Sequence, residues 1–308
     1  DHRDLHLSIR RQRQMCIRDR LNRLELWKIL KMKIEGKMDK ELKGKVAIVT
    51  GAGRLRGIGR AAAVALAKLG ADVVITGTGR SPESFPEDEK NIGWKDIHSV
   101  ADQIRDEGQK ALPLISNVTS QKDVQKMVDD TMNEFGRIDI LINNAAYARA
   151  EDRVPILDLG EDTFQKVMDI KVTGTFLCTK AVIKHMIAGG NGGKIVNISS
   201  TAGKKGSANT LAYNGANFAI VGMTQSMARE LGPHNINVNA VCPGAVDTHR
   251  MDVLGRGETW SNMADTTPIG RNGTDEEVGD FCAYLCTEAA SWIHGQSINQ
   301  NGGTVMEH

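Results

Sequence analysis

The 308 residues carry 39 Lys+Arg against 38 Asp+Glu, a formal net charge of +1, with 40% apolar and 25% charged residues. That composition excludes a disordered or fibrous chain, and the length allows one large α/β domain or two small ones. No run approaches the ~18 consecutive apolar residues of a membrane-spanning helix, so no membrane partner is expected.

Residues 1–43 hold 13 Lys/Arg and 7 Asp/Glu, which leaves the remainder at a net charge of −5. A mildly acidic body without a basic stripe argues against nucleic acid as the main partner. Cys16, Cys178, Cys242, Cys282 and Cys286 have neither disulfide nor zinc spacing. The i,i+4 pair Cys282 and Cys286 reads as buried reduced thiols on a helix, in keeping with a cytoplasmic chain. His185, His234 and His249 form no metal-ligand spacing, so no metal is expected.

In chain order, Asp1–Arg20 has no hydrophobic period, no caps and a heavy Arg load. It lacks the apolar core and cleavage site of a secretory signal, and its acidic residues count against a mitochondrial presequence. Met15–Arg20 reads like a translated sequencing adapter, and Met32 or Met38 offers a natural start. Residues 1–37 are therefore expected to be a non-native or disordered extension to a single domain over 38–308. An amphipathic helix on Leu21, Leu24, Trp27 and Leu30 is an alternative for 21–37.

From Lys45 short apolar runs alternate with amphipathic helices. The expected order is strand Val46–Thr50, helix Ile58–Leu69, strand Asp72–Thr76, helix Ile97–Asp106, strand Ala111–Ile115 and helix Gln121–Phe135. Strand Ile138–Ile142, a long helix Asp162–Ala188, strand Lys194–Ser199 and helix Tyr213–Leu231 follow. Strand Asn237–Val241, helix Asp275–Thr287 and strand Ser297–Asn299 close the chain. Near-continuous apolar strands separated by helices predict an α/β fold: a doubly wound, Rossmann-type parallel sheet of about seven strands, covered on both faces. Its ligand crevice should lie at the carboxyl ends of the strands.

Directly after the first strand stands Thr50-Gly51-Ala52-Gly53-Arg54-Leu55-Arg56-Gly57-Ile58-Gly59. Glycines at a strand–helix junction let the backbone turn sharply and approach a pyrophosphate, which the helix N-terminus then binds. Four glycines there favour a dinucleotide cradle over a bare turn. After the second strand no carboxylate appears until Glu83, whereas Arg80 and Arg56 flank the adenosine end. Guanidiniums suit a 2′-phosphate, so NADP(H) is the preferred cofactor with NAD(H) possible. The alternative is that both arginines are solvated surface residues.

Further along come Asn143-Asn144-Ala145-Ala146 after the fourth strand, Ser199-Ser200 after the fifth, Tyr213 on the next helix, and Pro243-Gly244 after the sixth. With the glycine loop, these five ordered motifs resemble the short-chain dehydrogenase/reductase family over 44–308, nearest its 3-oxoacyl-carrier-protein reductase-like branch. The resemblance implies hydride transfer between a nicotinamide and a ketone or secondary alcohol. Its catalytic set is a Ser, a Tyr, a Lys four residues beyond the Tyr, and an Asn on the preceding long helix. Ser200 and Tyr213 match, thirteen residues apart. The same resemblance implies a homotetramer or homodimer with the helices around 162–188 and 213–231 at an interface.

Three departures stand out. The glycine loop is two residues longer than the family's commonest form. The Lys position holds Asn217, and the Asn position, in Met168-Asp169-Ile170-Lys171-Val172-Thr173-Gly174, holds Lys171. The two residue types have exchanged places. A free tyrosine, with pKa about 10, is phenolate in only about one molecule in a thousand at pH 7. A nearby ammonium would correct this. Either Lys171 projects toward the cavity below Tyr213 and supplies that charge while Asn217 holds the nicotinamide ribose, or Lys171 reaches solvent or Asp169. In the latter case the site is crippled: a cofactor-binding sensor or structural subunit, or a non-redox lyase or dehydratase using Tyr213 alone.

By the same resemblance Asn117-Val118 lies beside adenine, though Asn117 equally suits loop capping. Asn144, Ala145 and Ala146 pass close to the cofactor, Pro243, Gly244 and Val246 belong to its binding set, and Thr248 hydrogen-bonds the nicotinamide amide or the phosphates. Cys242 reads as a small buried hydrophobe. Residues 249–269 read as a substrate lid offering Met251, Leu254, Trp260 and Met263 as apolar cover. The insertion Gly77–Trp94 suits either a partner subunit or a packed surface loop.

Overall fold

The computed structural model describes residues 40–149 and 151–307; the expectations for 1–37 lie outside them. Seven parallel strands form one sheet: β1 (Val46–Val49), β2 (Asp72–Gly77), β3 (Ala111–Ile115), β4 (Ile140–Asn143), β5 (Gly193–Ile198), β6 (Ile236–Pro243) and β9 (Ser297–Gln300). Their spatial order is β3-β2-β1-β4-β5-β6-β9. Two further strands of two residues each, β7 (Val246–Asp247) and β8 (Gly273–Thr274), pair with each other in a separate ribbon. They are too short to leave a sequence period.

Alternation along each strand builds two apolar layers. Ala47 and Val49 of β1, Val73 and Ile75 of β2, and Ile140 and Ile142 of β4 enter one layer. Val46, Ile48, Val74 and Leu141 enter the other. A period of two with apolar residues on both faces is what a sheet covered by helices on each side requires. The first layer is closed by α1 (Ile58–Lys68), α3 (Ile97–Asp106) and α9 (Asp275–Leu285). The second is closed by α4 (Gln121–Phe135), α6 (Gly174–Gly189) and α7 (Leu211–Leu231). The short α2 (Glu87–Asn91) belongs to the insertion, α5 (Glu161–Met168) precedes α6, and α8 (Glu258–Asp265) lies in the expected lid.

Local signals fix the helix ends. Ser120 accepts the Asp123 N–H at the start of α4, and Gly136 (φ 72°) ends it in the left-handed region. Thr274 and Glu277 form a capping box at α9. The long helix expected over Asp162–Ala188 is present but interrupted, because residues Asp169–Thr173 form a π turn between α5 and α6. Such turns insert an extra residue into the helical ladder and recur at functional sites. Here the turn carries Lys171.

Helix α1 is alanine-rich on its buried face, so α9 packs close against it. A Cβ at Gly279 would stand 2.5 Å from the Ala61 carbonyl carbon and 2.7 Å from the Ala62 nitrogen. Backbone cannot yield as a side chain can. Gly279→Ala should therefore destabilise the protein by roughly 1–3 kcal/mol, read as a fall in Tm; an unchanged Tm would contradict this packing.

The strand order reverses between β1 and β4, and ligands of open α/β sheets bind at that point, outside the carboxyl ends of the strands.

Candidate active site

A cleft of about 550 Å³ opens at that reversal. Of the expected set, Gly51, Gly53, Arg54, Arg56, Gly57, Ile58, Gly59 and Arg80 line it, with Asn117, Val118, Asn144, Ala145 and Ala146. Lys171, Tyr213, Asn217 and Thr248 line it as well. Ser200, Pro243, Gly244 and Val246 do not.

Each exclusion has a local cause. Val246 is 6% exposed and packs into the core layer that also holds Val278. Gly244 is pressed against Asn301, and Pro243 ends β6 in register with Gln300. Ser200 opens a one-turn helix, its hydroxyl oxygen accepting the Ala202 N–H at 3.2 Å. Ser199 lines the cleft in its place, but donates its own hydroxyl to the Asn217 carbonyl at 3.0 Å.

The glycine loop is tied to β4 and to the insertion. Asn144 donates from Nδ2 to the Thr50 and Gly51 carbonyls, both at 2.9 Å. A Cβ on Gly59 would lie 2.5 Å from that Nδ2, and one on Gly51, at φ +68°, would lie 2.8 Å from Ala145 Cα. The two extra loop residues are held from the other side. Fully buried Glu89 accepts the Leu55 N–H at 2.9 Å and the Arg80 guanidinium at 2.7 Å. Trp94 Nε1 donates to the Gly53 carbonyl at 2.8 Å. With Phe85 and Trp94 buried, Gly77–Trp94 is a packed brace for the lengthened loop. Two sequence oddities are one structural device.

That brace corrects the reading of the two arginines. Arg80 bonds Asp96 and Glu89, each at 2.7 Å, and lies over the Phe85 ring. Arg56 bonds Asp252, Asp88 and Asp247 at 2.5, 2.8 and 3.2 Å. The Asp252 hydrogen bond holds its guanidinium above the ordinary arginine range. Both touch the cleft, but neither is an unspent cation. Arg54 differs: its Nη1 is buried without a hydrogen-bond partner among the described residues. Burial first, and then Arg80, lower its pKa.

Lys171 is 5% exposed, so it does not extend into bulk solvent, and Asp169 accepts from Gln165 and Thr173 instead. It makes no hydrogen bond or ion pair among the described residues. Burial first, and then the Arg250 charge, push its ammonium down to about 7. The π turn that carries it packs against α7, the helix of Tyr213 and Asn217. Asn217 donates from Nδ2 to the Tyr213 carbonyl at 2.8 Å, while its Oδ1 is buried with no partner among the described residues. Two orphaned polar atoms in one cleft, Arg54 Nη1 and Asn217 Oδ1, fit a bound dinucleotide with a phosphate at one end and ribose hydroxyls at the other.

Two residues escaped sequence reasoning. The Arg153 guanidinium carbon lies 3.8 Å from the Tyr213 ring centroid, and that of Arg250 lies 5.0 Å away. Arg153 sits in the patternless segment after β4, where no signal points to it. Arg250 follows Thr248 within the expected lid, and with His249 it supplies what that segment brings to the cleft. Met251, Leu254, Trp260 and Met263 do not line it, so the lid offers a cation, Arg250, where apolar cover was expected. Asn117 caps its own loop, accepting from Thr119 N at 3.1 Å. Cys178, Cys242, Cys282 and Cys286 are free and buried, and burial raises each thiol pKa. Among the described residues no metal-ligand cluster exists, and no helix is long and apolar enough to cross a membrane.

The family model described as enoyl-(acyl carrier protein) reductase matches residues 51–305. A 3-oxoacyl-(acyl-carrier-protein) reductase of Aquifex aeolicus is 37% identical over 86% of this chain and 99% of its own. The chain belongs to the short-chain dehydrogenase/reductase family. Sorbitol dehydrogenase of Cereibacter sphaeroides is 34% identical over 86% of this chain and 99% of that one. Among solved structures, a short-chain type dehydrogenase/reductase from Mycobacterium marinum superposes with a TM-score of 0.76 at 32% identity, covering 88% of this chain and 99% of that one. As a short-chain dehydrogenase/reductase, this protein is an oxidoreductase that transfers hydride between a nicotinamide cofactor and a ketone or secondary alcohol. The comparisons lend nothing to a turnover-free sensor or a non-redox lyase.

Proposed function

We propose that this dehydrogenase/reductase works chiefly as a ketone reductase in which Tyr213 donates the proton and Lys171 supplies the charge that tunes it. The observation that carries this reading is a buried, unpaired Lys171 on a π turn packed against α7, lining the same cleft as Tyr213. The nicotinamide supplies the hydride when bound. Asn217, with its Oδ1 unspent, is the residue to hold the nicotinamide ribose. Ser200, the residue that the resemblance assigns to the substrate oxygen, keeps its hydroxyl proton to donate because its oxygen only accepts from Ala202, and a turn of that hydroxyl toward the cleft would let it polarise the substrate oxygen. A ketone reductase only needs a protonated phenol, abundant at neutral pH, so the exchange of Lys and Asn positions weakens alcohol oxidation more than carbonyl reduction. Incubation with reduced cofactor and a ketone panel should oxidise one cofactor per alcohol formed. Tight cofactor binding with no consumption, or product without a change in cofactor absorbance, would overturn it.

The cofactor reading is NADP(H) in preference to NAD(H), now resting on Arg54, since carboxylates occupy Arg56 and Arg80. Arg54→Ala should cut the NADPH-over-NADH ratio of kcat/KM by about tenfold or more. A ratio that stays put would remove the support for this preference. Phe176 and Phe218, 49% and 45% exposed on α6 and α7, support assembly as a dimer or tetramer through those helices.

A further inference from the structure

We infer that the ketone this enzyme takes carries an anionic group, a carboxylate or a phosphate, which Arg153 and Arg250 bind beside Tyr213. The inference rests on the proposed role of Tyr213 as proton donor. Two guanidiniums from separate segments, the loop after β4 and the turn His249–Leu254, converge on one tyrosine ring at 3.8 and 5.0 Å. Two guanidiniums thus meet at the ring of the reacting tyrosine, with Lys171 on the wall of the same cleft.

Their compensation is incomplete. One carboxylate, that of Asp152, stands 3.3 Å from Arg153 Nε, yet that Nε makes no hydrogen bond among the described residues. Arg250 donates to the Tyr147 carbonyl, a neutral acceptor. Contact with an aromatic face attracts a cation but leaves its charge in place. By contrast Arg56 meets three carboxylates and Arg80 meets two. Two guanidiniums sharing a single carboxylate at the Tyr213 ring, beside a cleft lined by Arg250 and Lys171, constitute a binding site for an anion, and the guanidinium fork suits the oxygens of a carboxylate or phosphate. A neutral ketone would leave the excess charge unanswered.

The test uses the protein loaded with oxidised cofactor, in which a ketone binds but cannot be reduced. Acetoacetate and its methyl ester are titrated calorimetrically, and dihydroxyacetone phosphate is titrated against dihydroxyacetone. The acid of at least one pair should bind about tenfold or more tightly than its neutral counterpart, and which pair responds tells carboxylate from phosphate. In Arg250→Gln that ratio should collapse toward one. Arg153→Gln should do the same, with Arg153→Lys recovering part of it, which separates lost charge from a misfolded loop. Equal affinity within both pairs, or an unchanged ratio in the Arg250 variant, would overturn the inference. Since no turnover is read, an anion preference survives even if Tyr213 proves not to be the proton donor, and a ketone reductase blind to substrate charge would fail this test alone.

Discussion

Tyr213→Phe lowers ketone reduction by on the order of 10²- to 10⁴-fold, the usual contribution of a positioned acid, and lowers cofactor affinity far less. The ring keeps its place on α7 because its neighbours Ala212 and Ala216 are wholly buried and hold that helix turn against Val167. Arg153 and Arg250 retain an aromatic face to lie on. Only the hydroxyl is removed. Steady-state kinetics with reduced cofactor, alongside a direct titration of cofactor binding, separates the two effects. A variant that keeps more than about a tenth of wild-type turnover, against the smallest loss expected of a positioned acid, would place proton delivery elsewhere in the cleft.

Lys171→Met makes the protein more stable and a poorer enzyme. A lysine whose ammonium is pushed from an ordinary 10.5 to about 7 disfavours the folded state, because the unfolded chain holds the proton more tightly. The penalty is absent above pH ~10.5, grows as pH falls toward about 7, and is constant below it. The rise in Tm of Lys171→Met over wild type, measured without cofactor, should therefore be largest at and below about pH 7 and shrink steadily toward about pH 10. Methionine has nearly the length of the lysine stem, so the core is refilled. The same variant should lose on the order of 10²-fold in reduction, and more in alcohol oxidation, where the phenol has to lose a proton first. A Tm equal to wild type at about pH 6, where the penalty should be complete, would show that the ammonium is solvated.

The alternation of Val46–Val49 and Ile140–Asn143 into two layers was legible because a two-residue period is a local property of the chain, as were the caps at Ser120 and Gly136. The glycine loop and Tyr213 were legible for the same reason: each motif is contiguous. What could not be read is what depends on distant segments meeting. Glu89 and Trp94 meet the glycine loop from far along the chain, and the carboxylates of that region neutralise the very arginines that suggest a phosphate site in the sequence. Arg153 and Arg250 come together over Tyr213 from segments with no pattern of their own. The π turn at Asp169–Thr173 changes the local helix pitch with no proline or glycine inside it to announce it. Ser200, matched by its interval from Tyr213, lies just off the cleft because a hydroxyl's direction is set by the turn it caps.

The role of Lys171 is tested most directly by the pH dependence of kcat for ketone reduction, at saturating cofactor and ketone, in wild type and Lys171→Met. The Lys171 charge proposed to aid Tyr213 is present below about pH 7 and discharged above it. Wild-type turnover should therefore fall as pH rises through that value, while the variant runs lower and flat across the same window. A variant that keeps both the wild-type rate and the wild-type limb would show that the exchanged lysine takes no part in the reaction.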